Sequence, residues 1–378
     1  MTDRADAPPP RLSEPATPLN ADDRDPADLR PGEWLSAHVY HAGNRIPLLV
    51  ECVDPLFARL RAEGLADGCY FLRHWLEGPH IRLRIRPADG ALPRVLEEVE
   101  AAVHAFLRRR PSVYDPENDL SDAQYRQRFL LEFSEEQWQE RYGPDLVRMP
   151  RRPNNSLAYV AYEPELERYG GPAGVELAEW QADRSSALVL ELLKAARTHI
   201  KSVRLGIAGQ VMAALALGLL EDVPRTAAFL EWRVAAWEHL FRDRHAEYEA
   251  AYRRMAPSLG TRVEDLYEGV VRGRTERLAG FVRQWAEHGA ELREPVDAAA
   301  ARGELRFRRP GGGNGPRGEG EWRAVSPEEA RPALLASFTH MACNRLGVTV
   351  GSEDYLGYVL SRAFRDRFSS SGGQQEIP

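Results

Sequence analysis

Arginines alternate with aliphatic side chains along one short stretch of this chain. Residues 71–75 read Phe-Leu-Arg-His-Trp, and after a Gly-Pro turn residues 80–86 read His-Ile-Arg-Leu-Arg-Ile-Arg. Successive side chains of a β-strand point to opposite faces, so this spacing predicts that Arg82, Arg84 and Arg86 share one face. Guanidinium groups stay charged and pair with carboxylates through two hydrogen bonds, which suits a ligand that carries carboxylates. The spacing fits equally well an exposed strand face that scattered acidic residues neutralise.

Two further clusters combine charged residues with glycine. Residues 162–171 read Tyr-Glu-Pro-Glu-Leu-Glu-Arg-Tyr-Gly-Gly, in which a strand ends in a charged turn and two glycines permit a tight backbone course. Residues 340–347 read His-Met-Ala-Cys-Asn-Arg-Leu-Gly. Helical spacing places His340 and Asn344 on one face, and Gly347 is suited to end the helix. Alone, each cluster also fits a structural role, as a strand exit with a surface arginine or as a helix with a structural histidine.

Composition and charge exclude several classes of protein. The chain has 378 residues, of which 43% are hydrophobic, and this is ordinary for a globular protein with a core. Its formal net charge of −7 argues against a general nucleic-acid binder. The three cysteines are widely spaced, and we find no zinc, disulfide, Walker or dinucleotide-binding motif, so we predict no metal, no cofactor and a cytoplasmic location. We also predict no signal peptide and no segment able to span a membrane.

The elements that must position these residues follow from hydrophobic periodicity. They predict an α+β fold, with an antiparallel sheet packed with helices, followed by a largely helical C-terminal half. The predicted strands cover residues 34–40, 70–75, 81–86 and 156–162. The predicted helices cover residues 45–61, 91–109, 185–199, 204–220, 224–255, 262–290, 327–346 and 353–368. We expect the site in the cleft where the helical half packs against the sheet.

A single folded domain is predicted over residues 32–368, between disordered tails at residues 1–31 and 369–378. Residues 112–155 are polar and charged, and we predict an insertion or lid with a short helix around residues 135–142. Residues 302–325 contain the run Gly-Gly-Gly-Asn-Gly at 311–315 and predict a flexible loop.

Taken in this order, the three clusters resemble the C-terminal, glutamate-elimination domain of lantibiotic dehydratases, also called the thiopeptide-type bacteriocin biosynthesis domain. The resemblance runs from about residue 34 to residue 368. The matching positions are 34, 38–40, 71–75, 79–84, 162–165, 167–171, 340–341 and 344–346. The large glutamylation domain of full-length dehydratases has no counterpart in this sequence, so we expect a small stand-alone member.

The resemblance implies a lyase of antibiotic biosynthesis. In that family, serine or threonine of a precursor peptide is first glutamylated from glutamyl-tRNA, and the elimination domain then expels glutamate to leave dehydroalanine or dehydrobutyrine. The implied partners are a precursor peptide with a leader and a glutamylated core, and a separate glutamyl-tRNA-dependent glutamylating protein. Direct nucleic-acid binding and membrane binding are not expected. The alternatives are a branch that forms pyridine rings by formal [4+2] cycloaddition, and a non-catalytic leader-binding partner.

The resemblance also assigns roles to residues. Catalysis is assigned to Arg73, Arg82, Arg84, Arg168 and His340, and substrate binding to His80, Tyr169 and Asn344. Elimination takes a proton from the peptide Cα and expels a carboxylate from Cβ, so arginines would stabilise the developing charge and hold the leaving glutamate. A histidine titrates near working pH, so His340 would transfer a proton as acid, base or both. We predict that Arg73, Arg84, Arg168 and His340 converge on one cleft. We also expect the leader to dock by adding a strand to an exposed sheet edge.

Overall fold

A four-stranded antiparallel sheet carries the arginine-rich segment. The computed structural model describes residues 23–113, 121–132, 134–143, 149–195, 197–308 and 321–369. The strands are β1 (Leu35–Tyr40), β2 (Ala66–His74), β3 (His80–Pro87) and β4 (Ser156–Tyr159), in the order β2-β3-β1-β4. A two-stranded hairpin follows later in the chain, with β5 (Arg306–Arg308) and β6 (Trp322–Ala324). The predicted α+β class with a helical C-terminal half is confirmed.

The two faces of the main sheet differ in chemistry. Ala37 lies opposite Leu83 in the β1–β3 register, and both are buried in one hydrophobic core. One residue along, His38 lies opposite Arg82, on the other face. Because side chains alternate with period two, this register gives an apolar face and a polar face. The predicted sharing of one face by the arginines of β3 is therefore confirmed.

Helices cover the apolar face and form the C-terminal half. In the first half they are α1 (Ile46–Leu48), α2 (Asp54–Ala62), α3 (Leu92–Arg109), α4 (Asp122–Glu132), α5 (Glu135–Tyr142) and α6 (Leu166–Tyr169). In the second half they are α7 (Pro172–Ala195), α8 (Lys201–Leu220), α9 (Val223–Phe241), α10 (His245–Leu266), α11 (Gly280–Glu291), α12 (Arg293–Ala301), α13 (Pro327–Leu346) and α14 (Val350–Ser369). A π-helical segment, Leu49–Val53, joins α1 to α2. Leu56 of α2 and Val99 of α3 belong to the same core as the apolar sheet face.

Helix α13 has the bounds that the sequence predicts, because both of its ends carry strong local signals. At the start, the Ser326 side chain accepts from the Glu329 backbone while the Glu329 side chain accepts from the Ser326 backbone, which is a capping box. At the end, Gly347 has a φ of 75°, the left-handed conformation that favours glycine. The helix that carries His340 is therefore fixed at both termini.

Helix α8 corrects one expectation drawn from the sequence. Its residues, Lys201–Leu220, are long and apolar enough to cross a membrane by length and composition. However, 72% of the apolar window is buried inside the protein, and α8 packs against α11 and α13. Such burial is typical of a core helix, whose apolar surface faces other helices on all sides.

Two predicted helical segments are divided differently in the structure. The segment predicted over residues 224–255 breaks at a 3₁₀ turn, Arg242–Arg244, and the one predicted over 262–290 breaks after a π-helical turn, Tyr267–Val271. Helices α9 and α10 both pack against α14, so the chain must turn back between them. This turn is required by tertiary packing, and residues 242–244 contain no glycine or proline that would indicate it in the sequence.

Two predicted irregular segments are also corrected in part. Residues 23–31, predicted as part of a tail, contact the sheet: the Arg24 backbone donates to the Tyr159 carbonyl at 3.2 Å, and Asp23 pairs with Arg152 at 2.6 Å. Residues 302–325, predicted as a loop, include the arms of the β5–β6 hairpin. Residues 1–22, 309–320 and 370–378 lie outside the described residues, so those parts of the predicted tails and loop remain predictions.

The segment predicted as a lid has its own small core. Helix α5 has the predicted bounds, and a second helix, α4, precedes it. The aromatic and aliphatic side chains of this core are Trp75, Leu76, Tyr125, Phe129, Trp138, Tyr142 and Met149. Two of them, Trp75 and Leu76, come from the end of the β2–β3 hairpin, so the segment packs on that end of the sheet.

Side chains from the helices close the outer edge of β2. The backbone N–H groups of Cys69, Phe71 and Arg73 donate to Asp183 at 2.7 Å, Ser186 at 3.1 Å and Asn344 at 2.9 Å, respectively. The matching carbonyls accept from Arg61 at 2.9 Å, Arg345 at 2.9 Å and Asn344 at 2.9 Å. Because this edge is saturated, a leader peptide cannot add a strand beside these residues of β2.

We expect Arg345→Ala to lower the free energy of unfolding by about 3 kcal/mol. Arg345 is 1% exposed, and its Nε donates to the Phe71 carbonyl and to the Ser186 hydroxyl, both of which would lose this donor. Urea unfolding measures the effect. Arg262→Ala, at an exposed position of α10, is the matched control and should be neutral. Equal stability of the two variants would contradict this account of the β2 edge.

Candidate active site

The polar face of the sheet gathers histidine and tyrosine around two arginines. The register places Arg84 opposite Ser36 on β1 and Tyr70 on β2, and it places His80 opposite His74. Arg84 is 5% exposed and donates to Ser36 Oγ and, at 3.2 Å, to His38 Nε2. Its guanidinium also lies 5.3 Å from the centre of the Tyr162 ring. The Arg84 side chain is thus held by neutral groups.

The hydrogen bonds of His80 define its tautomer. Its Nδ1 lies 2.8 Å from the Gly78 carbonyl, which can only accept, so the proton is on Nδ1. The Nε2 atom is then free to accept from Arg82 Nε at 3.2 Å. His80 therefore orients the Arg82 guanidinium, and its assignment to substrate binding stays a prediction.

Three histidines on this face are held neutral. Burial lowers the pKa of His38, His74 and His80 well below the usual 6.5, and the charge of Arg82 lowers each of them further. The His38 and His80 rings are stacked with centroids 4.9 Å apart. At neutral pH these rings add no positive charge; His38 and His80 accept hydrogen bonds from arginine, and His74 Nδ1 accepts from the Leu76 backbone.

The two arginines lack a carboxylate partner. Burial, followed by the charge of Arg84, lowers the pKa of Arg82 to about 9, and burial also lowers the pKa of Arg84. Within the described part of the chain, neither guanidinium forms an ion pair. The nearby charge of Glu165 opposes the lowering of both pKa values, but it does not neutralise either guanidinium. This face therefore retains a positive potential that an incoming anion would satisfy.

The turn that follows β4 adds a third arginine. Helix α6 is one turn long, and Arg168 Nη1 on this turn pairs with Glu165 Oε2 at 2.6 Å. Gly170 ends it with a φ of 77°, and a Cβ atom there would lie 2.7 Å from the Phe307 ring. Glycine is thus required both by the backbone conformation and by the close approach of the β5–β6 hairpin. Glu165 lies between Arg168 and the Arg82–Arg84 pair. Its carboxylate belongs to the motif, but the sequence analysis assigned it no role.

Tyrosines connect this turn to the neighbouring helices. The Tyr162 hydroxyl donates to Glu179 of α7 at 2.7 Å. Tyr169 stacks on Phe338 of α13 with ring centroids 6.4 Å apart. Burial raises the pKa of both tyrosine hydroxyls, so each stays protonated. These contacts fix Arg168 relative to α7 and α13.

A cavity of about 270 Å³ lies beside the tyrosines, between the sheet and α7. Trp34 joins it to the polar face, because its ring lies 4.9 Å from Tyr70 and 6.4 Å from Tyr162. The lining residues are Trp34, Asp67, Gly68, Arg86, Glu176, Glu179, Trp180 and Asp183. This space is open to a peptide segment that flanks the arginines.

His340 is oriented by a buried carboxylate. Its Nδ1 lies 2.8 Å from Glu353 Oε2 on α14, and Glu353 is 4% exposed. The other oxygen of Glu353 accepts from Arg233 of α9. Burial alone would raise the pKa of Glu353, but the charges of His340 and Arg233 outweigh it and hold the pKa below 4.5. Glu353 thus fixes the ring through Nδ1, and Nε2 is left on the side of the ring away from this carboxylate.

Arg73 and Asn344 lie apart from the arginines of the polar face. Arg73 pairs with Ile81 across β2 and β3, whereas Arg82 pairs with Leu72, so Arg73 is on the opposite face. Both polar atoms of the Asn344 side chain bind the Arg73 backbone, and the assignment of this amide to substrate binding stays a prediction. The structure thus groups Arg82, Arg84 and Arg168 around Glu165, and it places Arg73 beside α13, one turn from His340.

Sequence reasoning missed the two carboxylates of this region for different reasons. Glu165 lies three residues before Arg168, a spacing that brings charges together on a helical turn, so its signal was present. Glu353 is on a different helix from His340, and nothing in the local sequence connects the two. Within the described ranges, no group of three or more His, Cys, Asp or Glu residues is arranged to hold a metal ion.

The chain is similar to one known protein family and to solved structures. The model of the family described as "Lantibiotic biosynthesis dehydratase C-term" matches residues 34–364. The solved structure of TbtD, the pyridine synthase from thiomuracin biosynthesis, is 24% identical with a TM-score of 0.67, covering 89% of this chain and 99% of that chain. The crystal structure of TsrL is 16% identical with a TM-score of 0.60, covering 89% and 95% of the two chains. At these identities the similarity establishes the fold alone. No curated protein matches the chain.

We expect Glu353→Gln to lower the free energy of unfolding by about 3 kcal/mol at neutral pH, because Arg233 keeps a largely buried charge without a counter-ion. The folded-state pKa of Glu353 is lowered, so its stabilisation is present above pH 4.5 and is lost as pH falls through that lower value. Urea unfolding across this range should therefore show a shallower pH dependence in the variant.

The matched control for this prediction is Glu231→Gln. Glu231 is also on α9, pairs with Arg365 and is 41% exposed, so its loss should cost less than about 1 kcal/mol. A Glu353→Gln variant no less stable than this control would contradict the orientation of His340 by a buried ion pair.

Proposed function

Because the chain belongs to the family of lantibiotic biosynthesis dehydratase C-terminal domains, we propose that it removes glutamate from glutamylated serine or threonine of a precursor peptide. Membership places the protein in lanthipeptide or thiopeptide maturation. The observation that carries the elimination step is the cluster of Arg82, Arg84 and Arg168, in which the buried Arg84 and the half-buried Arg82 have no carboxylate partner among the described residues. A reaction that releases a carboxylate is the chemistry that such a cluster stabilises.

In the proposed step, a base removes the Cα proton and the bond from Cβ to the ester oxygen breaks. The electron pair of the C–H bond forms the double bond, and the electrons of the broken bond leave with glutamate as its carboxylate. Arg82 and Arg84 stabilise the enolate-like charge on the adjacent amide, worth on the order of 3 kcal/mol for each well-placed donor. Their positions are held by His80, His38 and Ser36, which accept without adding charge.

Arg168 is proposed to bind the leaving glutamate. Its present partner is Glu165, whose side chain is 57% exposed and carries the functional group of the leaving amino acid. A substrate carboxylate can replace Glu165 on Arg168 at little cost, since one ion pair is exchanged for another. Displacement would leave Glu165 beside Arg82 and Arg84 until glutamate departs.

His340 is proposed to transfer the proton through Nε2. The ion pair with Glu353 stabilises the imidazolium that forms when this atom accepts a proton. The neutral histidines of the polar face are weaker candidates, because burial and neighbouring arginines oppose their protonation. The precursor peptide and a separate glutamylating protein are the partners that this proposal requires, and a cytoplasmic location is consistent with it.

A second candidate is formal [4+2] cycloaddition between two dehydroalanines of a peptide. It is suggested by the similarity to TbtD, a pyridine synthase, over nearly the whole length of that chain. The two reactions are distinguished by their substrates. Elimination consumes a glutamyl ester and releases glutamate, whereas cycloaddition consumes dehydroalanine and closes a ring.

We expect the purified protein to release glutamate from a synthetic peptide that carries a glutamyl ester on serine, without added tRNA, ATP, metal or nicotinamide. His340→Ala should slow this release by about 100-fold or more, because the proton acceptor is lost while the arginines remain. Mass spectrometry of dehydroalanine formation gives the rate.

His239→Ala, at an exposed position of α9, is the control and should retain the wild-type rate. A folded His340→Ala protein that eliminates at the wild-type rate would refute the proposed proton transfer. Ring closure on a peptide that already contains dehydroalanine, without glutamate release, would establish the second candidate instead.

Arg168→Lys should reduce the elimination rate by at least about tenfold. Lysine keeps the charge but loses the planar fork that binds a carboxylate through two hydrogen bonds. The elimination rate should fall and the inhibition by free glutamate should weaken, since both depend on the contact between Arg168 and a glutamate carboxylate. Arg308→Lys, in the neighbouring hairpin and paired with Glu167, is the matched control. Unchanged inhibition by glutamate in Arg168→Lys would place the leaving group elsewhere.

A further inference from the structure

A second cluster of arginines lies outside the proposed site of elimination. It consists of Arg45, which precedes α1, Arg73 on β2 and Arg204 on α8. Burial lowers the pKa of Arg73 to about 9, and the charges of Arg45 and Arg204 contribute to this shift, so both act on Arg73. Arg73 is on the apolar side of β2, opposite the face that carries Arg82 and Arg84.

No member of this second cluster forms an ion pair with a carboxylate among the residues that the structure describes. Arg73 Nε donates to the Arg345 carbonyl at 3.0 Å, and Arg204 Nη1 donates to the Thr198 carbonyl at 3.0 Å. Arg45 Nε is buried without a hydrogen-bond partner. Mutual repulsion and partial burial destabilise the charged form of these three arginines. A bound anion relieves both effects.

The neighbouring lid forms one wall of this region. Tyr125 and Arg128 of α4 interact electrostatically with Arg45, and Arg128 lies over the Trp75 ring at 4.7 Å. Trp75 belongs to the hairpin tip that separates the two arginine clusters. The second cluster is therefore bounded by β2, the lid and α8, in a chain whose net charge is otherwise negative.

We propose that the second cluster binds acidic side chains of the peptide substrate, on the side of β2 opposite Arg82 and Arg84. This inference rests on the proposed function, which makes a peptide the substrate. Guanidinium selects carboxylate by charge and by paired hydrogen bonds.

An extended ligand is favoured over a free amino acid because the hairpin tip lies between the two clusters. A peptide gains about 3.3 Å per residue and passes the tip within a few residues. We place Arg45 along this route because its charge also contributes to the lowered pKa of His80 on the other face.

The test is direct binding, measured by fluorescence anisotropy with a labelled synthetic peptide of alternating Glu and Gly. The comparison peptide has Gln in place of Glu. The wild-type protein should bind the acidic peptide at least about tenfold more tightly, and the affinity should fall as ionic strength rises. The double variant Arg45→Gln with Arg204→Gln should lose about tenfold in affinity. Arg73 is left intact because its Nε holds the end of α13.

Arg262→Gln, which removes an exposed arginine of α10, is the matched control and should bind as the wild type does. If the double variant fails to fold, the single Arg204→Gln should show the same loss in smaller measure. Peptide binding is measured without any elimination, so the binding result stands even if the elimination assay fails.

The proposal is overturned if the Glu and Gln peptides bind equally, or if the folded variant binds as tightly as the wild type. It is also overturned if free glutamate or inorganic phosphate displaces the acidic peptide at an equal concentration of anionic groups. That result would make the second cluster a site for small anions rather than for a peptide.

Discussion

Two guanidinium groups buried on one face of a sheet set the constraint on which the rest of the site depends. Removing such a group from water costs several kcal/mol, and Arg82 and Arg84 also repel each other. The surroundings hold them with His38, His80 and Ser36, which accept hydrogen bonds but carry no charge. A carboxylate in those places would stabilise the fold more, but it would cancel the potential that attracts an anion. Neutral acceptors therefore preserve the chemistry at the expense of stability.

The opposite face and the outer edge of the sheet supply the rigidity that this arrangement needs. Buried aliphatic side chains fill the face beneath the arginines. At the edge, Asn344 and Arg345 fasten α13 to β2 through side-chain to backbone hydrogen bonds. His340 is one turn earlier on the same helix, so its position relative to the sheet depends on these bonds. Arg345 thus helps to fix the position of His340, the proposed proton-transfer group, relative to the strands.

The sequence predicted this architecture well where the signal was local. Alternation along residues 80–86 indicated β3 and its charged face, and Gly347 indicated the end of α13. It failed where the deciding contact was tertiary. The resemblance assigned both Arg73 and Arg84 to catalysis, but Arg73 pairs with Ile81 in the β2–β3 register, so the two arginines lie on opposite faces of the sheet. The role of Glu353 depends on how α14 packs against α13, which no local pattern encodes.

The electrostatics of the polar face bear on which of the two reactions it serves. Elimination turns an ester oxygen into a full carboxylate, so negative charge appears at a defined place as the bond breaks. Ring closure between two dehydroalanines begins from neutral partners and separates less charge. Preorganised positive groups accelerate a reaction only to the extent that they bind its transition state better than its ground state. Under the proposed function, Arg82 and Arg84, held by neutral acceptors, and Arg168, paired with Glu165, favour the release of an anion in this sense.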